Sequence, residues 1–181
     1  FNTVSYGQFR DRVRSIASAW RAPGSFHVAP DEFVCMMGFA GIDFSALDVA
    51  CIYTQTVSVP IQANYGFEML RGMLELIEPS LIATATADLD MAVQLAEAIP
   101  SIKSVIVFDY DDGDSENKAA WQASKSALAD RCPDIAALSL DELVALGNPQ
   151  EWQMMPPHKD GSERLTSIIH SSGSTGTPKG A

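Results

Sequence analysis

Short apolar runs and amphipathic helical segments alternate along this chain of 181 residues. The runs are too short for helices and are typical of buried strands; they cover residues 33–38, 57–61, 81–83, 104–108 and 165–169. Around and between them, apolar side chains recur at helical spacing over residues 5–21, 42–53, 66–78, 88–99, 117–130 and 140–146. Such alternation indicates crossover connections between parallel strands. The sequence therefore predicts an α/β fold, with a mostly parallel sheet and helices on both faces.

The charge balance and the cysteines limit the functional classes. The chain carries 12 lysines and arginines against 23 aspartates and glutamates, a formal net charge of −11. This argues against nucleic acid or an anionic membrane as partner, because both require basic patches. No stretch approaches the roughly 18 apolar residues of a membrane span. Cys35, Cys51 and Cys132 lack metal-binding spacing, so we expect reduced thiols, the first two in the core, and a cytoplasmic compartment.

The residues after the last apolar run have the composition of a phosphate-binding loop. Three glycines, five hydroxyl side chains and one lysine fall within ten residues: Ser171, Ser172, Gly173, Ser174, Thr175, Gly176, Thr177, Pro178, Lys179 and Gly180. Glycines let backbone amides converge on an anion, hydroxyls add neutral donors, and the lysine adds a point charge suited to the β- and γ-phosphates. A flexible linker uses the same residue types, so composition alone leaves both interpretations open.

Two observations favour the phosphate loop over the linker. Lysine at this spacing is not typical of linkers, and the stretch directly follows a predicted buried strand. Ligands of open α/β sheets bind beyond the carboxyl ends of strands. The loop differs from a Walker A motif, because Pro178 precedes Lys179 and Gly180 follows it. We therefore do not expect the nucleotide at a helix N-terminus.

Residues 172–180, with the sequence Ser-Gly-Ser-Thr-Gly-Thr-Pro-Lys-Gly, resemble the characteristic loop of the adenylate-forming superfamily. This superfamily includes acyl-CoA ligases, luciferases, peptide-synthetase adenylation domains and carboxylic acid reductases. Residues 5–9 resemble the helix start near the front of these domains, and residues 33–61 are similar to their first βαβ unit. Residues 38–44, residues 105–110 and Ser174 are most similar to carboxylic acid reductases. Ser171 and His170 depart from the usual Thr and Tyr.

The resemblance implies that residues 1–181 are the N-terminal part of a truncated adenylation domain, with a phosphate-binding loop over residues 171–181. It implies that a small carboxylic acid reacts with ATP, in the presence of Mg²⁺, to form acyl-AMP. Lys179 would be the catalytic residue. The nucleotide-binding residues would be Ser171, Ser172, Gly173, Ser174, Thr175, Gly176, Thr177, Lys179 and Gly180; none is assigned to a metal. In a reductase the acyl group moves to phosphopantetheine and is reduced by NADPH on other domains.

The same resemblance implies that the rest of the active site lies beyond residue 181. We therefore expect this chain alone neither to activate nor to reduce an acid. We also expect residues 171–181 to be mobile or held by a neighbour, with no strand after the loop.

Two alternatives stay open. An acyl- or aryl-CoA ligase or a peptide-synthetase adenylation domain would carry the same loop, whereas a non-catalytic α/β interaction module with a flexible tail would not depend on Lys179. At His170, a ring replacing another ring at the end of the strand and a titratable group beside phosphates are both compatible with the sequence.

Overall fold

The computed structural model describes residues 3–62, 64–150, 152, 163–171 and 179–180. Its main sheet has five parallel strands in the order β2-β1-β3-β4-β5. These strands are β1 (Phe33–Met37), β2 (Val57–Ile61), β3 (Leu81–Ala85), β4 (Ser104–Phe108) and β5 (Ala136–Ser139). The helices are α1 (Tyr6–Arg21), α2 (Ile42–Thr54), α3 (Phe67–Ile77), α4 (Leu89–Ala98), α5 (Ser115–Arg131) and α6 (Leu140–Leu146). A second, two-stranded sheet pairs β6 (His170–Ser171) with β7 (Lys179–Gly180).

Each face of the main sheet is covered by its own apolar core. Along β1, Val34 and Met36 belong to the core formed with α1, α2 and α6, while Cys35 and Met37 belong to the core formed with α3 and α4. All four side chains are fully buried. Strands buried on both faces are characteristic of parallel sheets covered by helices. The predicted α/β fold is therefore confirmed.

Local sequence determines where helices α1 and α6 begin. The amide of Gln8 donates to Ser5 Oγ at 3.2 Å, and the amide of Ser5 donates to Gln8 Oε1 at 2.9 Å. This is the capping box at the start of α1, which satisfies two amides that the helix leaves without partners. Ser139 and Glu142 form the same arrangement at the start of α6.

The sequence pattern does not predict strand β5, because this strand is short and weakly apolar. Its four residues pair with β4 through a register that joins Ser104 to Ala136 and Val107 to Ser139. Two of the four are alanines, which have little intrinsic preference for strands. Pairing with β4 therefore determines this strand more than its own residues do.

Residues 148–162 are polar and rich in proline, a composition that predicts an irregular connection, and they lie mostly outside the described residues. Within it, the Trp152 ring packs on Tyr53 of α2, with 4.7 Å between ring centroids. Among the residues that the structure describes, no helix combines the length and apolar character needed to cross a bilayer. The same residues contain no cluster of three or more His, Cys, Asp or Glu side chains placed to bind a metal.

Candidate phosphate-binding site

The segment that leads into the loop lies along the outer edge of β2. The amide of Ser58 donates to Thr166 O at 3.0 Å, and the amide of Ile168 donates to Ser58 O at 2.9 Å. Together they form one isolated parallel bridge between Ser58 and Ser167. The segment therefore runs in the direction of β2, towards the carboxyl edge of the sheet.

The prediction of a full strand over residues 165–169 is wrong. The amide of Val57 donates to Glu32 O on the inner side of β2, so alternation turns the backbone of Ser58 and of Pro60 towards the outer edge. Proline has no amide hydrogen and ends a ladder on the side that it faces. A single bridge forms before Pro60, and Leu165 and Ile169 remain 46% and 63% exposed.

The two ends of the loop are held together by a short antiparallel pair. His170 lies opposite Gly180, and Ser171 lies opposite Lys179. The expectation that no strand follows the loop is therefore wrong, because β7 pairs with β6. The assigned residues between these strands, and the expected mobility of the loop, lie outside the described residues: Ser172, Gly173, Ser174, Thr175, Gly176 and Thr177.

Gly180 has a packing role at the base of this hairpin. A Cβ atom at this position would lie 2.8 Å from Ile168 Cγ2 and 3.4 Å from His170 Nε2. Contacts below about 3 Å force a neighbouring atom to move, so alanine at this position would require the Ile168 side chain to shift. Sequence reasoning assigned Gly180 to phosphate binding and did not detect this packing.

His170 is half-buried at the same base. Its Nδ1 atom is buried and has no hydrogen-bond partner within the described part of the chain. Burial lowers the pKa of the imidazole below its ordinary value, because desolvation disfavours the cation. Burial at the base of the hairpin therefore favours the neutral form of the imidazole.

We expect the hairpin to weaken with acidification through His170. Because the folded pKa is lowered, the unfolded state takes up the proton first as the pH falls below about 6.5, so stability is lost from there down through the folded pKa. A His170→Phe variant lacks this loss. Between pH 7.5 and pH 5.5, the melting temperature of the wild type should fall further than that of the variant. Equal decreases in melting temperature would contradict a titrating His170.

The carboxyl edge of the sheet carries a crevice that sequence reasoning did not identify. In the order β2-β1-β3-β4, the connection after β1 leads to β2 on one side and the connection after β3 leads to β4 on the other, which makes the carboxyl ends of β1 and β3 a topological switch point. A cavity of about 650 Å³ lies there; residues lining it include Gly38, Phe39, Gln62, Asn64, Ala85 and Asp88. Phe39 is 93% exposed at its rim. The segment beside β2 runs towards the same end of the sheet as the crevice.

A second cleft at this edge is acidic. Arg12 Nη2 of α1 forms ion pairs with Asp43 Oδ1 at 2.9 Å and Asp141 Oδ1 at 2.8 Å. Asp43 Oδ2 also accepts the amide of Asp109, at the end of β4, at 3.2 Å. Burial, and then the nearby Asp43, raise the pKa of Asp109. Arg12 thus joins the starts of α2 and α6 to α1 and offsets part of the negative charge.

Two of the three cysteines are core residues. Cys35 and Cys51 are fully buried, and burial raises the pKa of each thiol to about 12. Both are therefore protonated at neutral pH and do not act as nucleophiles. The interpretation of these two residues as reduced core thiols is confirmed.

The geometry can be compared with known proteins. A family model described as AMP-binding enzyme matches residues 1–181. The chain belongs to the AMP-binding enzyme family. The resemblance that the loop and the first βαβ unit suggested is confirmed.

Among AMP-binding enzymes, the chain is similar to carboxylic acid reductases along its whole length. It is 36% identical to the carboxylic acid reductase of Segniliparus rugosus, over 100% of this chain and 15% of that protein. The A-PCP didomain of that organism's carboxylic acid reductase, solved in complex with AMP, matches with a TM-score of 0.92 and 34% identity, over 100% of this chain and 25% of that one.

The A domain of the Segniliparus rugosus carboxylic acid reductase, in complex with AMP and a co-purified carboxylic acid, matches with a TM-score of 0.90 and 32% identity, over 100% of this chain and 28% of that one. The chain thus spans about 15% of the length of the curated carboxylic acid reductases that it matches.

Proposed function

We propose that this chain is the N-terminal part of the adenylation domain of a carboxylic acid reductase, a longer protein that we call the parent polypeptide. The observation that carries the proposal is the likeness to reductases over the whole chain at 36% identity. The hairpin base, which brings Ser171 beside Lys179, supports the assignment of the enclosed residues to the polyphosphate of ATP.

In the proposed reaction, a carboxylate oxygen of the acid attacks the α-phosphorus of ATP. The bond between that phosphorus and the bridging oxygen breaks, so acyl-AMP forms and pyrophosphate leaves with the bonding electrons. Lys179 and the amides and hydroxyls of residues 171–180 would donate to the β- and γ-phosphates as this charge develops. Catalysis then consists of positioning and electrostatic stabilisation, without a covalent protein nucleophile.

Mg²⁺ would enter with ATP. Magnesium sites in nucleotide-dependent enzymes use the substrate phosphates together with one or two carboxylates. We assign no described residue to the ion. Its chemistry is to offset phosphate charge, while the residues of this chain orient the nucleotide.

The remaining steps belong to other domains of the parent polypeptide. The acyl group would move to a phosphopantetheine thiol and be reduced by NADPH to an aldehyde. The free cysteines support a reducing, cytoplasmic compartment. The net charge of −11 supports small molecules, rather than nucleic acid or membrane, as partners.

The products of ATP test this proposal. With Mg²⁺, NADPH and a panel of aromatic and aliphatic acids, the parent polypeptide should release AMP and pyrophosphate in step with acid consumed, and an aldehyde should accumulate. Formation of ADP and phosphate would contradict the adenylation mechanism. A thioester that forms only when coenzyme A is added, without aldehyde, would place the parent among the ligases.

A further inference from the structure

In the described part of the chain, the segment that leads into the loop is held to the main sheet through a small number of contacts with α2 and β2. The bridge at Ser58 is the only backbone pairing between residues 163–169 and the sheet in the described part of the chain. Pro60 prevents the next pairing on that edge. His170 follows Ser167 by three residues, roughly 10 Å of extended chain, so the position of the bridge is transmitted directly to the hairpin.

The side chain of Ser58 ties this bridge to α2. Its Oγ donates to Asp48 Oδ1 at 2.6 Å, and Ser58 itself is 2% exposed. An O–H···O⁻ bond of this length is charge-assisted and stronger than a neutral one. Ser58, whose amide and carbonyl both pair with the incoming segment, is therefore held in place by a half-buried carboxylate of α2.

Arg164 makes a second connection to the same helix. Its Nη2 atom donates to Ile52 O at 3.3 Å, a carbonyl in the last turn of α2. Ile52 O also accepts the amide of Gln55 at 3.4 Å, and the carbonyls of this last turn lie at the negative end of the helix dipole. A guanidinium at this position is thus attracted to α2, and it attaches the segment three residues before Ser167.

We infer that Asp48 and Arg164 are positioning residues for the phosphate-binding hairpin. The two residues and Ser58 form what we call the edge latch, which sets where residues 164–168 lie on β2 and hence where the hairpin projects at the carboxyl edge. Both act through the backbone and neither touches the nucleotide. The inference rests on the proposed function for its kinetic consequence, but its structural consequence is independent of turnover.

The kinetic test uses the parent polypeptide with Asp48→Ala or Arg164→Met. Loss of a hydrogen bond to a charged group has an effect of about 10- to 100-fold, and because these two residues act on the nucleotide only through the backbone, we expect a smaller effect, about 3- to 10-fold. We expect the KM for ATP in carboxylate-dependent pyrophosphate exchange to rise by about that factor, with the KM for the acid changed by less than about 2-fold. Asp48→Asn keeps an acceptor oxygen and Arg164→Lys keeps a donor, so both should restore most of the wild-type KM.

Arg71→Met is the matched control. Arg71 pairs with Glu75 at 2.8 Å on α3, and both side chains are nearly half-exposed, so its loss should leave both KM values unchanged. An unchanged KM for ATP in Asp48→Ala and Arg164→Met would overturn the inference. Equal rises in both KM values, without restoration by Asn or Lys, would also overturn it by showing a general structural defect.

Amide hydrogen exchange of residues 163–171 separates this inference from the proposed function. The amides of this segment should exchange faster in Asp48→Ala and Arg164→Met than in the wild type. In Arg71→Met their exchange rates should not change. If the wild-type parent shows no pyrophosphate exchange, the proposed function fails while this comparison still tests the latch. Wild-type exchange rates in both latch variants would reject it.

Discussion

Replacement of Lys179 by alanine in the parent polypeptide is expected to lower kcat/KM for ATP by about 10- to 100-fold. A hydrogen bond to a charged group contributes about 1.5–3 kcal/mol, and each 1.36 kcal/mol corresponds to a factor of ten in rate. The backbone of Lys179 is paired with Ser171 at the base of the hairpin, so the residue belongs to the frame of the loop. The measurement is carboxylate-dependent pyrophosphate exchange at varied ATP.

Lys103→Ala is the control for this change. Lys103 Nζ forms an ion pair with Glu32 Oε1 at 3.0 Å, next to the amino end of β4 and away from the loop. Its removal should change kcat/KM by less than about 2-fold, since exposed ion pairs contribute about 0–1 kcal/mol. Equal activity of Lys179→Ala and wild type would favour the non-catalytic interaction module over the adenylating enzyme.

Replacement of Gly38 by alanine is expected to destabilise the fold by about 2–6 kcal/mol, the sum of backbone strain and overpacking. Gly38 has a φ of +149°, which side chains other than hydrogen rarely allow. Its Cβ would lie 2.7 Å from Phe108 Cζ and 3.0 Å from Ala85 Cβ. Phe108 is fully buried, so its ring has little room to move away.

The midpoint of urea unfolding of the parent polypeptide measures this effect. Gly72→Ala is the matched control, because Gly72 lies within α3 and a Cβ there meets open space. Alanine in a helix interior is favoured over glycine by up to about 1 kcal/mol, so this variant should be equally stable or more stable. A Gly38→Ala midpoint equal to that of Gly72→Ala would contradict the close approach at the end of β1.

Elements with strong local patterns could be predicted from the sequence. The capping box at Ser5, the apolar stripe of α3 and the β-branched run of β4 each specify their structure within a few residues. Two features could not be predicted, because pairing between distant segments decides them. Strand β5 depends on β4, and the run over residues 165–169 is limited to one bridge by Pro60, which lies more than a hundred residues earlier.

The candidate site likewise has features with a local sequence signal and features that depend on contacts between distant segments. Residue types alone left a phosphate loop and a flexible linker both open, and the spacing of the lysine together with the apolar run before it favoured the loop. The packing of Ile168 and His170 over Gly180 and the bond between Ser58 and Asp48 have no local signal. Both contacts form where residues 163–171 return to the outer edge of β2, a strand of the first βαβ unit.

Carboxylate-dependent exchange of labelled pyrophosphate into ATP tests the central claim most directly. We expect the parent polypeptide to catalyse this exchange only when a carboxylic acid and Mg²⁺ are present. We expect the 181-residue chain alone to show none, because the proposed site needs residues beyond it. Absence of exchange by the parent with every acid of a broad panel, or exchange by the isolated chain, would contradict the account.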